Sequence, residues 1–204
     1  MSPPRGWPAL AAVLLLPHVV IGDGRLGRGD DFVELSTLAP GVRLDIRYAT
    51  PQNFTKQALY PEARCRLRRA VAERLARVQG ALAQEGLGLL VFDCWRPLSV
   101  QRRLWALIPD ERYVADPKKG SRHNRGAAVD LTLVDGGGRP LAMGSDYDAF
   151  TPASHRGFPG LDGAARANRA RLDRAMAKEG FVGLPTEWWH FDAPDWERFP
   201  IDDD

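Results

Sequence analysis

Histidine is scarce in this chain, with four among 204 residues, at positions 18, 123, 155 and 190. Any site that needs imidazole must be built from that short supply. Cysteine is scarcer still. Cys65 and Cys94 are the only two, and they make no Cys-x-x-Cys metal pattern. An excess of charge of one sign is also missing: 28 basic against 26 acidic side chains leave +2, too little to argue for nucleic acid as a partner. The chain has no internal repeat and no low-complexity segment. Beyond its first residues, no apolar run is long enough to cross a bilayer.

What is present is an ordinary globular composition, 44% hydrophobic and 26% charged, which sets aside disordered and fibrous classes. The length suits one compact domain with a short appendage. Residues 1–22 supply the appendage. Arg5 precedes a stretch from Trp7 to Ile21 that is apolar apart from His18, with Ala9–Leu16 its unbroken centre. A basic start before an apolar run is the pattern of a secretory signal. Pro17 and His18 interrupt it, and an A-x-A cleavage site is missing, so an uncleaved anchor or a merely apolar start stays open. A signal at 1–22 predicts a periplasmic or secreted protein, against a cytoplasmic alternative. Cys65 and Cys94 fit either one disulfide, which would tie a helix to a strand, or two buried thiols.

The periodicities alternate between helix and strand without a regular βαβ rhythm, which predicts an α+β fold. Val42–Tyr48 alternates apolar and polar residues as a half-buried strand does. Leu67, Val71, Leu75, Val78 and Leu82 recur at helical spacing, predicting a helix over Glu62–Gln84 closed by Gly86. Its arginines, from Arg64 to Arg77, read as a solvated face rather than a surface for nucleic acid or anionic lipid. Leu87–Phe92 and Ala127–Val134 read as strands, Ser99–Leu107 and Ala164–Glu179 as helices. The Gly- and Asp-rich stretch 23–31 reads as a linker, and Thr186–Asp192 as extended chain.

Three clusters carry chemistry. A catalytic zinc takes three imidazole or carboxylate ligands and keeps one position for water. His123 and Asp130 stand seven apart across Gly126, so a turn there would fold the histidine back beside a strand bearing the aspartate; taken alone, such a pair is more often a surface contact or helix cap. Glu187 and His190 stand three apart in Thr186-Glu-Trp-Trp-His190, where a glutamate beside a metal-bound water would serve as base. The bland alternative is an aromatic strand with polar flanks. Arg96, between a buried strand and Pro97, suits oxyanion stabilisation or an ion pair with Asp93.

Together the clusters resemble the D-alanyl-D-alanine dipeptidases of the wider zinc D,D-peptidase group. The resemblance is carried by Ser121-x-His123-x-x-Gly126-x-Ala128-x-Asp130, by Glu187-Trp-Trp-His190 and by Arg96-Pro97. Flanks at Arg47-Tyr48-Ala-Thr, Asn53-Phe54 and Met143-Gly144 to Asp148 extend it from about Phe32 to Phe191. It implies a single catalytic domain over 23–204 with a small, mainly antiparallel sheet flanked by helices and the metal site on the sheet. It implies one zinc on His123, Asp130 and His190, Glu187 as acid and base, and Arg96 as transition-state stabiliser. It further implies Asp148 on the substrate ammonium and Ser121 at the other end of a dipeptide; His155 is taken as structural. The expected activity is hydrolysis of D-alanyl-D-alanine in cell-wall peptide metabolism. The alternatives are a carboxypeptidase or endopeptidase on longer peptidoglycan stems, and a non-catalytic zinc module binding cell-wall peptides. Trp188, Trp189 and Phe191 would either wall the pocket or fill the core.

Overall fold

The computed structural model describes Met1 and residues 31–203. The expected signal segment and most of the linker lie outside the described residues. In chain order the elements are β1 (Phe32–Glu34), α1 (Leu35–Leu38), β2 (Arg43–Leu44), β3 (Arg66–Arg68), α2 (Arg69–Ala83), β4 (Gly88–Asp93), α3 (Leu98–Leu107), β5 (Ala128–Val134), α4 (Gly163–Lys178), β6 (Val182–Gly183) and β7 (His190–Asp192). A five-stranded sheet runs β2-β4-β5-β7-β6, with β1 and β3 as a separate pair. Only β2 and β4 pair in parallel; β4, β5, β7 and β6 are successively antiparallel. The architecture is therefore the α+β arrangement that the sequence predicts.

The core lies where α2 and α4 cover the sheet. Val71, Leu75, Val78 and Leu82 of α2 are buried, as are Leu172 and Met176 of α4. Every residue of β5 is buried, because this central strand is covered on both faces, and its sequence is correspondingly apolar. Asp162 begins α4 by accepting a hydrogen bond from the Ala165 amide at 2.7 Å, which satisfies a donor that the first helical turn leaves open.

Register decides where the chemistry falls. Asp130 of β5 lies opposite His190 of β7 and, on its other side, opposite Asp93 of β4. Three polar residues from distant parts of the chain thus stand in one row across the sheet. The β4–β5 ladder shifts register between Val91 and Asp93, re-aiming the strand end just before Arg96, as bulges do.

Several boundaries differ from expectation. The helix expected over Glu62–Gln84 is α2, which begins at Arg69 rather than Glu62, because Arg66–Arg68 pairs with β1 and Cys65 is bonded to Cys94. Leu67 and Val71 sit four apart, which mimics a helical stripe although Leu67 belongs to a strand. The arginines before Arg69 are consequently no helix face. Arg66 lies over the Trp95 ring at 5.0 Å, and the buried Arg68 donates from Nε to the Arg125 carbonyl at 2.9 Å. The half-buried strand expected over Val42–Tyr48 is reduced to Arg43–Leu44, and Arg47–Ala49 forms a 3-10 turn. The other two helices match to within a residue at either end, which is the ordinary fraying of helix termini. Among the described residues, no helix is long and apolar enough to cross a membrane.

Candidate active site

His123 opens a 3-10 turn, His123–Arg125, that ends at Gly126 with φ +65°. Only a residue without a Cβ takes that conformation freely, and a Cβ here would collide with the Phe32 ring. The turn folds His123 back over the sheet, beside Asp130 of β5 and His190 of β7. His123 Nε2 lies 3.2 Å from His190 Nδ1 and 3.3 Å from Asp130 Oδ1, and His190 Nδ1 lies 3.0 Å from the same oxygen. Among the described residues these side chains form the one group of potential metal ligands with donor atoms all within 4.8 Å of one another.

The donor set fits zinc. Ligands at ~2.0–2.1 Å on a tetrahedral ion stand ~3.3–3.4 Å apart, close to the separations seen. The remaining atom of each ligand is engaged elsewhere. His123 Nδ1 meets the Cys94 carbonyl at 2.7 Å, His190 Nε2 meets Asp192 Oδ1 at 2.9 Å, and Tyr147 donates to Asp130 Oδ2 at 3.0 Å. A carbonyl and a carboxylate can only accept, so the outer ring nitrogens carry the protons and the inner ones present lone pairs. Outer hydrogen bonds of this kind fix tautomer and orientation in metal sites. Two inward lone pairs beside a buried carboxylate call for a positive charge between them. Without an ion that charge is a proton: burial opposes it, but hydrogen bonds to Asp130 and Asp192 push His190 up to about 10. Burial likewise works against the Asp130 carboxylate, yet the two imidazoles hold it well below its ordinary range.

Glu187 does not belong to β7; it sits in the turn before it, its Oε2 4.0 Å from His190 Nδ1. Burial pushes its carboxyl up to about 8, with His190 opposing the shift and Asp130 adding to it. A glutamate with such a pKa, next to the ligands but outside them, is suited to take and return a proton near neutral pH.

Arg96 donates from Nε and Nη2 to Asp93 Oδ2 at 3.0 and 2.6 Å, and from Nη1 to Gln101 at 2.9 Å. The two readings of this residue coincide: the ion pair with Asp93 is what aims the guanidinium at the cavity it lines. Asp148 accepts from the Tyr48 hydroxyl at 2.9 Å and takes a left-handed backbone, φ +55°. Burial and the charge of Asp130 hold its carboxyl well above the usual carboxylate range. Ser121 also lines the cavity, and its Oγ accepts from the His123 amide at 3.2 Å. His155 stands outside the metal-ligand group.

The cavity enclosed by these groups is about 110 Å³, below the ~300–1,000 Å³ of sites for drug-sized ligands. Its apolar wall is not the Trp-Trp-Phe run. Trp189 and Phe191 are core residues, and Trp188 donates to Ser145 at 2.9 Å. Phe54, Tyr113 and Phe150 supply the wall, Phe150 packing against Phe54 at 5.1 Å and Tyr113 at 5.0 Å. The residues that sequence reasoning missed are the outer ones. Asp192, two positions beyond His190 and so on the same strand face, was detectable, whereas the Cys94 carbonyl is a backbone atom and carries no sequence signal.

Residues 28–203 match the D-ala-D-ala dipeptidase family. The chain belongs to this family. As a D-ala-D-ala dipeptidase family member it is 38% identical over 171 residues to the D-alanyl-D-alanine dipeptidase of Escherichia coli (strain K12), covering 84% of this chain and 89% of that one. It is 33% identical over 190 residues to the D-alanyl-D-alanine dipeptidase of Enterococcus faecalis (strain ATCC 700802 / V583), covering 83% and 94%. Among solved structures, VanYB in complex with D-alanine-D-alanine is a more distant likeness. It has a TM-score of 0.43 at 17% identity, over 65% of this chain and 74% of that one.

Proposed function

We propose that this family member hydrolyses D-alanyl-D-alanine to two D-alanines in cell-wall peptide metabolism, with one zinc held by His123, Asp130 and His190. The observation that carries the reading is the small cavity in which three inward donor atoms, a buried glutamate and the Asp148 carboxylate converge. A zinc held by these three side chains would supply Lewis acidity to the attacking water and to the scissile carbonyl. Glu187 accepts the proton of the attacking water and hands it to the departing amine. Arg96, held by Asp93, faces the negative charge that develops on the carbonyl oxygen. Asp148, braced by Tyr48, meets the substrate ammonium, and Ser121 helps hold the other end.

The cavity and its acidic end favour a free dipeptide over a longer stem, whose blocked amine brings bulk and no charge to Asp148. Comparing D-alanine release from D-alanyl-D-alanine and from its N-acylated analogue, with zinc content measured on the same samples, tests this. The free dipeptide is expected to be preferred. Preference for the blocked substrate would assign a carboxypeptidase instead, and zinc binding without turnover of either would assign a binding module.

The protein is proposed to work in the periplasm or outside the cell. The signal-like residues 1–22 support this, and so does the Cys65–Cys94 disulfide, a bond that persists in oxidising compartments and is rare in the cytosol.

A further inference from the structure

One covalent bond reaches the site without taking part in the chemistry. Cys65, just before β3, and Cys94, just after β4, form a disulfide across a separation of 29 residues, and both are buried. Cys94 lies inside the stretch that serves the site twice. Its carbonyl accepts the His123 Nδ1 proton at 2.7 Å, while its neighbour Asp93 grips Arg96.

Side chains give the backbone of this stretch two further bonds, the Cys94 amide to Asp93 Oδ1 at 2.9 Å and Asn124 Nδ2 to the Arg96 carbonyl at 2.8 Å, both from within the site. Pairing of β4 with β5 ends at Asp93, beyond the register shift. Past that point the Trp95 amide donates to the Arg66 carbonyl at 3.0 Å, and the Arg96 amide to the His123 carbonyl at 3.2 Å. The second of these leans on the very turn that the stretch supports. Beside the bond from the Cys94 amide to Asp93, the Cys94–Trp95 peptide is therefore tied to the neighbouring segment at two points, the Cys94 side chain and the Trp95 nitrogen. Both attachments lead to Cys65–Arg66. A carbonyl aims its lone pairs only as well as its peptide plane is held.

We propose that the Cys65–Cys94 disulfide is a positioning element of the metal site. It fixes the carbonyl that sets the tautomer and orientation of His123, and it keeps Arg96 in register with that ligand. The proposal rests on the reading of His123 as a zinc ligand. A disulfide that acted only by restricting the unfolded chain would raise stability and leave the metal affinity of the folded protein unchanged.

The test uses the full chain carrying Cys65→Ala/Cys94→Ala. Zinc affinity is measured by competition with a chromophoric chelator, and the cobalt-substituted protein gives an absorption spectrum of the ligand field. Leu82→Ala, a cavity in α2 at a side chain 1% exposed, serves as a control for lost stability alone. The cysteine-free protein is expected to bind zinc ~10–100-fold more weakly, the usual effect of losing an outer hydrogen bond to a ligand, and to show an altered cobalt spectrum. Leu82→Ala should keep both properties.

If the double alanine variant does not fold, Cys65→Val/Cys94→Ala restores much of the lost volume. A folded cysteine-free protein with wild-type zinc affinity and cobalt spectrum overturns the proposal. So does an equal loss of affinity in Leu82→Ala, or failure of both cysteine-free variants to fold, which would make the bond a matter of stability alone. If the wild type itself takes up neither zinc nor cobalt, it is the metalloenzyme reading that fails.

Discussion

Asp192 stands two residues beyond His190 on β7, and its Oδ1 lies 2.9 Å from His190 Nε2. A strand turns residues two apart to the same face, so ligand and carboxylate arrive together. The carboxylate holds the proton on Nε2 and turns the Nδ1 lone pair toward Asp130 and His123. Asp192→Ala is expected to weaken zinc binding ~10–100-fold in a protein that still folds. Competition with a chromophoric chelator measures it, and an unchanged zinc affinity would remove Asp192 from the site.

Glu187→Gln separates proton transfer from metal binding. Glutamine keeps the shape and cannot accept the proton, so turnover should fall ~10²–10⁴-fold with one zinc still bound. Because burial already pushes the Glu187 carboxyl up to about 8, the neutral side chain should not lower the melting temperature. Near-native turnover in this variant would overturn the assignment of the base.

Asp148 gives a pH signature in the metal-free protein. Its folded pKa is raised, by burial first and then by the charge of Asp130. The folded state thus holds this proton more tightly than the unfolded chain, whose aspartates titrate near ~3.9. The stabilisation is full below that pH and is lost as pH rises through the folded pKa. Asparagine stays neutral and tolerates the left-handed backbone. Asp148→Asn is therefore expected to melt above wild type at pH ~8, with the gap closing toward acid, and to lose affinity for the dipeptide. A gap that stays constant with pH would contradict the shift.

Gly126→Ala tests the turn that delivers His123. The substitution meets a left-handed φ of +65° and the Phe32 ring, and a non-glycine residue held in such a conformation costs about 1–3 kcal/mol. Denaturant unfolding should show at least that loss, with weakened zinc binding beside it. Wild-type stability would mean that the turn relaxes freely.

Much of this protein is legible residue by residue. Three of the four helices among the described residues, and β4 and β5, follow from periodicity, because α2 and the sheet bury one continuous apolar face. Scarcity narrowed the candidate histidines, since only four exist; the family resemblance singled out His123 and His190, and the motif spacing around Gly126 pointed to a turn. The boundary at Arg69 was not legible, because Leu67 continues a helical stripe by coincidence while its backbone pairs with β1.

The sequence by itself determined the composition class, the α+β alternation and the types of residue available for a metal site, since these depend on local spacing and on chemistry. Tertiary structure decided what those residues do. Sheet register placed Asp93, Asp130 and His190 in one row. Chain crossings set Tyr48 against Asp148 and the Cys94 carbonyl against His123. Such pairings join groups far apart along the chain or run through backbone atoms, and nothing in local spacing encodes either. Only the packed fold turns separate polar residues into a small cavity where their lone pairs and charges converge.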